Sequence, residues 1–247
     1  MVGGSYCQEN LRNKIMKIGD YSKRKDAIKF HTKRFAGLGG EIIKNWEKSI
    51  LLEFLEEFRP EKVIDLGAGT GRISEILISK FKPQKIVLVD SSESMLEFAK
   101  ERIKNTAVTN VEFDIQDVLR LRTIEKFDLV VSFHLVKHLK EIKVFLSNVN
   151  SILAKDGKFI LDFANKNSLV QLGKGEVRLY TLQEMVDKSK SNGLIVKGIK
   201  GVNFFGETAY IVLPYFLTKP LFLLDKLICY LIPGYATKIF LKLEKGR

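Results

Sequence analysis

Three acids, three closely spaced glycines and two histidines carry the chemistry open to this chain. Asp65 lies in the apolar run Val-Ile-Asp-Leu at 63–66, and Gly67, Ala68, Gly69, Thr70 and Gly71 follow it directly. Glycines at such a turn leave backbone N–H groups open to a ligand, with no Cβ atoms in its path. Asp90 ends a second apolar run, 23 residues after Gly67, and Asp117 follows a third. Beyond a fourth run stand His134 and His138, four residues apart, which share a face if that turn is helical. Acids at strand tips accept hydrogen bonds from hydroxyls and pair with cations, and a histidine in the same place can move a proton.

The elements that position these groups are legible around them. Residues 63–66 suit a buried strand, and Ile73, Ile76, Leu77 and Phe81 repeat at helical spacing after the glycine turn. A strand, a glycine turn and a helix together hold nucleotides. A dinucleotide turn usually reads G-x-G-x-x-G and cradles a pyrophosphate. Here the third glycine, Gly71, comes one position early, and Arg72 replaces the final small residue. The fixed anion of Asp65 repels a diphosphate but suits a ligand with an ammonium group. S-adenosylmethionine is such a ligand, with an amino-acid end and no phosphate. Asp90 is then placed to accept both ribose hydroxyls, and Asp117 to meet the adenine amino group. Ser91 or Ser92 caps a helix on which Met95, Ala99 and Ile103 share one face.

On these blocks the chain resembles a class I S-adenosylmethionine-dependent methyltransferase, well over residues 35–202 and loosely beyond. The resemblance implies a cofactor site made of Asp65, Gly67, Ala68, Gly69 and Gly71, with Asp90 on the ribose. It adds Ser91 and Met95 near the adenine, and Val118 beside Asp117. The fourth-strand segment, 127–134, contributes Ser132 and Phe133, and places His134 at the donor methyl as the candidate catalytic residue. Residues 153–158 match the fifth-strand turn. The implied fold is α/β, a doubly wound, mostly parallel seven-stranded sheet of the Rossmann-like methyltransferase kind. Its last strand would be antiparallel and paired with the sixth, with an apolar insertion between them.

Three regions follow: a basic N-terminal arm or lid at 1–40, a cofactor-binding core at 41–202, and an apolar insertion with the final strand at 203–247, completing the same domain. A helix is expected over 41–58, with Trp46, Ile50 and Phe54 in its apolar stripe and Pro60 ending it. Strands and helices then alternate to Phe163, the pattern of a doubly wound sheet. Ile142, Phe145, Val149 and Ile152 line the helix after the fourth strand. A loop is expected at 164–180, a helix from Thr181 to Gly193 and a sixth strand at 194–199. The tail from Phe204 holds nine of the 25 aromatic residues and only three acids. It predicts an apolar helix at 221–232, broken by Asp225-Lys226, and a last strand at 236–243. This tail is either core or dimer interface, or else a lid or interfacial helix with Lys219, Lys226 and Lys238 facing headgroups.

Composition narrows the partners. The two cysteines, Cys7 and Cys229, have no metal or redox spacing, so no metal and a reducing, cytoplasmic setting are expected. No secretory leader is expected, and no apolar run reaches the roughly 18 residues that span a bilayer, leaving peripheral membrane contact. Net charge is +12, and residues 11–34 alone hold nine Lys/Arg against two acids. Such a segment is a solvated face or meets an anionic partner: nucleic acid, lipid or an acidic metabolite. Ser132-Phe133-His134-Leu135 stands where base N-methylating enzymes carry Asn/Asp-Pro-Pro-Tyr/Phe. Neither cysteine is in a Pro-Cys setting, and no paired glutamates flank the fourth strand. The oligomeric state is left open. The reading reached is methyl transfer to an O or N of a small-molecule or lipid-like acceptor. Its rivals are an RNA methyltransferase using the basic arm, a catalytically silent cofactor-binding protein and a dinucleotide oxidoreductase.

Overall fold

The apolar run before the glycine turn becomes β1 (Lys62–Leu66), an inner strand of a seven-stranded sheet in a computed structural model of the protein. The structure describes residues 37–104, 106, 110–170, 177–206, 209–210, 213 and 215–246. The basic segment 11–34 and Cys7 lie outside them, and with the segment go the arm and its RNA reading.

Beside β1 lie β2 (Lys85–Asp90), β3 (Val111–Ile115), β4 (Phe127–Ser132), β5 (Leu153–Ala164), β6 (Leu194–Val202) and β7 (Lys238–Lys245), in the order β3-β2-β1-β4-β5-β7-β6. The first five strands are parallel; β7 pairs antiparallel with β6, as the family resemblance implied, and also with β5, lying between the two. The helices are α1 (Gly37–Phe54), α2 (Arg72–Phe81), α3 (Glu93–Ile103), α4 (Ile142–Ile152), α5 (Leu182–Ser191) and α6 (Tyr215–Leu231).

Neighbouring strand residues point to opposite faces, so an unbroken apolar strand feeds two cores. Ile64, Val87 and Val130 pack with Phe145 and Val149 of α4 and Met185 of α5. Val63, Leu88 and Leu129 pack on the other side with Leu51 of α1, Leu77 of α2 and Ala99 of α3. The sheet is thereby doubly wound, and the carboxyl ends of β1, β2 and β4 meet at one edge, where such folds bind ligands.

Several boundaries differ from expectation. The first helix begins at Gly37, within the glycine cluster, and stops at Phe54 rather than at Pro60. Leu55, Glu56 and Phe58 instead close tight turns on residues three before them, and Asp128 accepts from the N–H groups of Glu61 and Lys62 to start β1. Turn 153–158 is a register break inside β5, which pairs Phe127 with Leu153 but Leu129 with Lys158. β6 runs on to Val202, and β7 is shifted to Lys238–Lys245. The loop at 164–180 is tied by a bridge between Asn165 and Tyr180, with 171–176 outside the described residues. The capping box of Thr181 and Glu184 starts the next helix where expected.

The tail helix departs most. Asp225-Lys226 does not break it, because the two side chains leave about 100° apart around the helix, one into the core and one to solvent. Asp225 is fully buried and accepts from the N–H groups of Phe204 and Phe205, from Tyr210 Oη at 2.6 Å and from Cys229 Sγ, while Lys226 is exposed. Four partners offset the cost of burying that carboxylate. Burial and this carboxylate together push the Cys229 thiol well above its usual value, so it stays protonated. Trp46 of α1 meets Phe222 of α6 edge-on, with ring centroids 5.1 Å apart, so the tail covers the same face as α1.

Candidate functional site

The glycine turn is tied to the strand beside it. The N–H groups of Gly67 and Ala68 both donate to the carbonyl of Val89, and Gly69 N–H donates to Asp90 Oδ2 at 2.8 Å. The other oxygen of Asp90 accepts from Ser92 N–H at 2.9 Å. The tips of β1 and β2 are thus fixed together with the acid between them. Burial raises the Asp90 pKa, against the pull of these backbone donors.

Two of the glycines serve different needs. Gly71 has φ +72, and a Cβ there would lie 2.9 Å from Ala99 Cβ, so it lets α3 approach the turn. Gly69 has φ +54, yet a Cβ there would meet nothing within 4 Å. Packing does not require that second absence. The open space lies where a ligand would lie along the turn.

Asp65 is 1% exposed, and its carboxylate accepts from Ser74 Oγ at 2.6 Å. Burial raises its pKa to about 7, with the charge of Asp90 adding to the shift. A cation brought alongside it would reverse that. Ser92, rather than Ser91, caps α3, accepting from Met95 N–H, and Met95 is buried while Ser91 is exposed. Asp117 is exposed and caps the turn 118–120 through Leu119 N–H, over a buried Val118. Ser132 is buried, and its Oγ has no hydrogen-bond partner among the described residues. Phe133 packs edge-on against Phe240, centroids 5.1 Å apart.

His134 stands at the centre of a group the sequence did not announce. Its backbone has φ +63, so it precedes the short helix 136–138, and His134 and His138 do not share a helical face; His138 is exposed. Its N–H donates to Asp162 of β5. Its Nε2 lies 2.9 Å from Glu47 Oε1, and its Nδ1 3.2 Å from Lys238 Nζ. Glu47 also receives Arg72 at 2.5 Å and Lys238 at 2.7 Å, and its side chain is fully buried. Burial raises the Glu47 pKa, but His134, Lys238 and Arg72 outweigh it and hold the carboxyl well below its usual range. Burial, reinforced by Lys238, lowers the His134 pKa to about 4, so the ring is neutral at pH 7. The hydrogen bonds assign its tautomer: Nε2–H donates to Glu47, and Nδ1 accepts from Lys238.

Under the interfacial reading of the tail Lys238 would face headgroups; it instead points into this cluster. Glu47, Arg72, Asp162 and Lys238 were not picked out as site residues. The available signals were an acid on the apolar side of α1 and another inside the buried run Phe159–Phe163.

Comparison with known proteins gives the family and the fold. A family model described as a methyltransferase domain matches residues 58–213. A malonyl-[acyl-carrier protein] O-methyltransferase of Bacillus cereus is 35% identical over 44% of the chain and 39% of its own length. A ubiquinone biosynthesis O-methyltransferase of Pelagibacter ubique is 24% identical over 58% of the chain and 65% of its own length. The chain thus covers less than two thirds of either relative. A solved S-adenosylmethionine-dependent methyltransferase from Clostridium acetobutylicum shares the fold at a TM-score of 0.62, with 16% identity, over 90% of this chain and 98% of that one. The chain belongs to the class I S-adenosylmethionine-dependent methyltransferases. S-adenosylmethionine is the cofactor of that class, and the open turn at Gly69 between two strand-tip acids fits it.

Proposed function

We propose that the chain transfers the methyl group of S-adenosylmethionine to an oxygen or nitrogen of a small-molecule or lipid-like acceptor. The observation that carries this is the open space over Gly69, whose N–H is held by the strand-tip acid Asp90. The relatives named as acting on malonyl-acyl-carrier protein and in ubiquinone biosynthesis support the acceptor class.

Asp65 would meet the ammonium, the turn Gly67-Ala68-Gly69-Thr70-Gly71 the amino-acid end, and Asp90 the ribose. Ser91, Met95, Asp117 and Val118 would border the adenine, with Ser132 and Phe133 beside them. The bound sulfonium supplies an activated methyl group, so the chain mainly aligns the partners and keeps the site dry. His134 is the residue proposed to take an acceptor proton, at Nδ1, once the acceptor displaces Lys238. A ring held near pKa 4 is a weak base. That suits removal of a hydroxyl proton only as the methyl arrives; an acceptor that arrives deprotonated, or a neutral amine, needs no base.

Calorimetry with S-adenosylhomocysteine tests the reading. One molecule should bind per chain, and affinity should fall as pH drops through about 7, because the ligand's ammonium selects ionised Asp65. Binding near pH 6 should therefore release protons. Labelled methyl donor incubated with an extract should mark a small molecule or lipid. Absence of heat with both the donor and its demethylated product overturns the proposal.

A further inference from the structure

The outer face of α6 is apolar and uncovered. Phe216 is 73% exposed, Leu223 68%, Tyr230 74% and Leu231 65%, and Leu227 at 55% continues the same stripe. At 100° per residue these five fall within about a quarter of the helix circumference. The inner face is packed: Thr218, Asp225 and Cys229 are buried, and Phe222 lies on Trp46. Lone exposed leucines need no explanation, but a continuous stripe on one helix does.

Charge is distributed in the same sense. The one acid of α6, Asp225, is turned fully inward by its four donors. Lys219 and Lys226 are exposed along one flank, and Lys200 Nζ lies 5.9 Å from the ring of Tyr230. Among the described residues α6 itself therefore exposes two lysines and no acid, while Lys200 beside it is paired at 2.5 Å with the exposed Glu53. No described helix is long and apolar enough to cross a membrane, so insertion across a bilayer is not at issue.

We infer that this face of α6 docks the protein on an anionic phospholipid surface. The helix lies in the plane of the interface, with Phe216, Leu223, Leu227 and Leu231 among the acyl chains and the lysines against phosphates. A second copy fits less well. Pairing the face with itself gathers Lys219 and Lys226 of both copies around a helix that exposes no acid of its own. The inference stands apart from methyl transfer and does not depend on it.

Sedimentation of the full chain with vesicles decides the matter. Phosphatidylcholine vesicles should bind weakly, and vesicles containing phosphatidylglycerol strongly, with binding reduced by salt. The double variant Leu223→Glu, Leu227→Glu changes only exposed side chains, so it should stay folded and bind S-adenosylhomocysteine as before. Its bound fraction on anionic vesicles should fall at least tenfold. Equal binding by wild type and variant would assign lipid affinity to other basic segments and overturn the inference. Failure of the wild type to sediment would do the same. So would a wild-type dimer in analytical ultracentrifugation that the variant dissociates, which would make the face an interface between copies.

Discussion

Asp90→Ala is expected to weaken S-adenosylhomocysteine binding by about 10²–10³-fold, as each lost charge-assisted hydrogen bond costs roughly 1.5–3 kcal/mol. The carboxylate sits between the turn and α3, each oxygen taking one backbone N–H and retaining capacity for a ligand hydroxyl. Removing it also frees the Gly69 and Ser92 N–H groups, so a modest fall in melting temperature should accompany the loss. Asp90→Asn, with one acceptor oxygen, should fall between. Calorimetry well below the melting temperature separates the two effects. Unchanged affinity in Asp90→Ala would remove the ribose assignment.

Glu47→Ala should destabilise the protein by about 3–5 kcal/mol, the usual cost of stranding a buried charge. Three groups lose a partner at once: Arg72, His134, and Lys238, which keeps Asp162 at 3.6 Å. Both cations are nearly enclosed, at 11% and 13% exposure, so water replaces little of the loss. For a chain of this size that corresponds to a drop of about 10 °C in melting temperature. The double variant Glu47→Gln, Lys238→Met should recover part of it, because a carboxylate and an ammonium leave together. A single-variant change within 1 °C, measured by calorimetry, would show the cluster to be energetically idle.

The donor side of the site was legible in the sequence because it is local. Asp65, the three glycines and Asp90 lie on two consecutive strand–helix units, so their spacing carries their geometry. The doubly wound sheet and the antiparallel last strand followed from alternating apolar runs and from the family resemblance. The cluster around His134 was not legible. It draws Glu47 from α1, Arg72 from α2, Asp162 from β5 and Lys238 from β7, and no window of sequence holds more than one of them. The tail helix was misread for a related reason. Asp225 looks like a helix interruption until Phe204, Phe205 and Tyr210, about 15 to 21 residues earlier, are seen to satisfy it.

The hairpin of β6 and β7 sets where the chain can vary without disturbing the sheet. Val202 pairs with Lys238, and Thr237 is bonded to the Asn203 carbonyl through both its N–H and its hydroxyl. The excursion containing α6 therefore leaves and rejoins the scaffold at nearly one point, on the same rim as the glycine turn. Lengthening or replacing it leaves every strand pairing as it is, and loop-closure cost grows only slowly with length. The excursion is thus an interchangeable piece, while the strands that carry the glycine turn stay as they are.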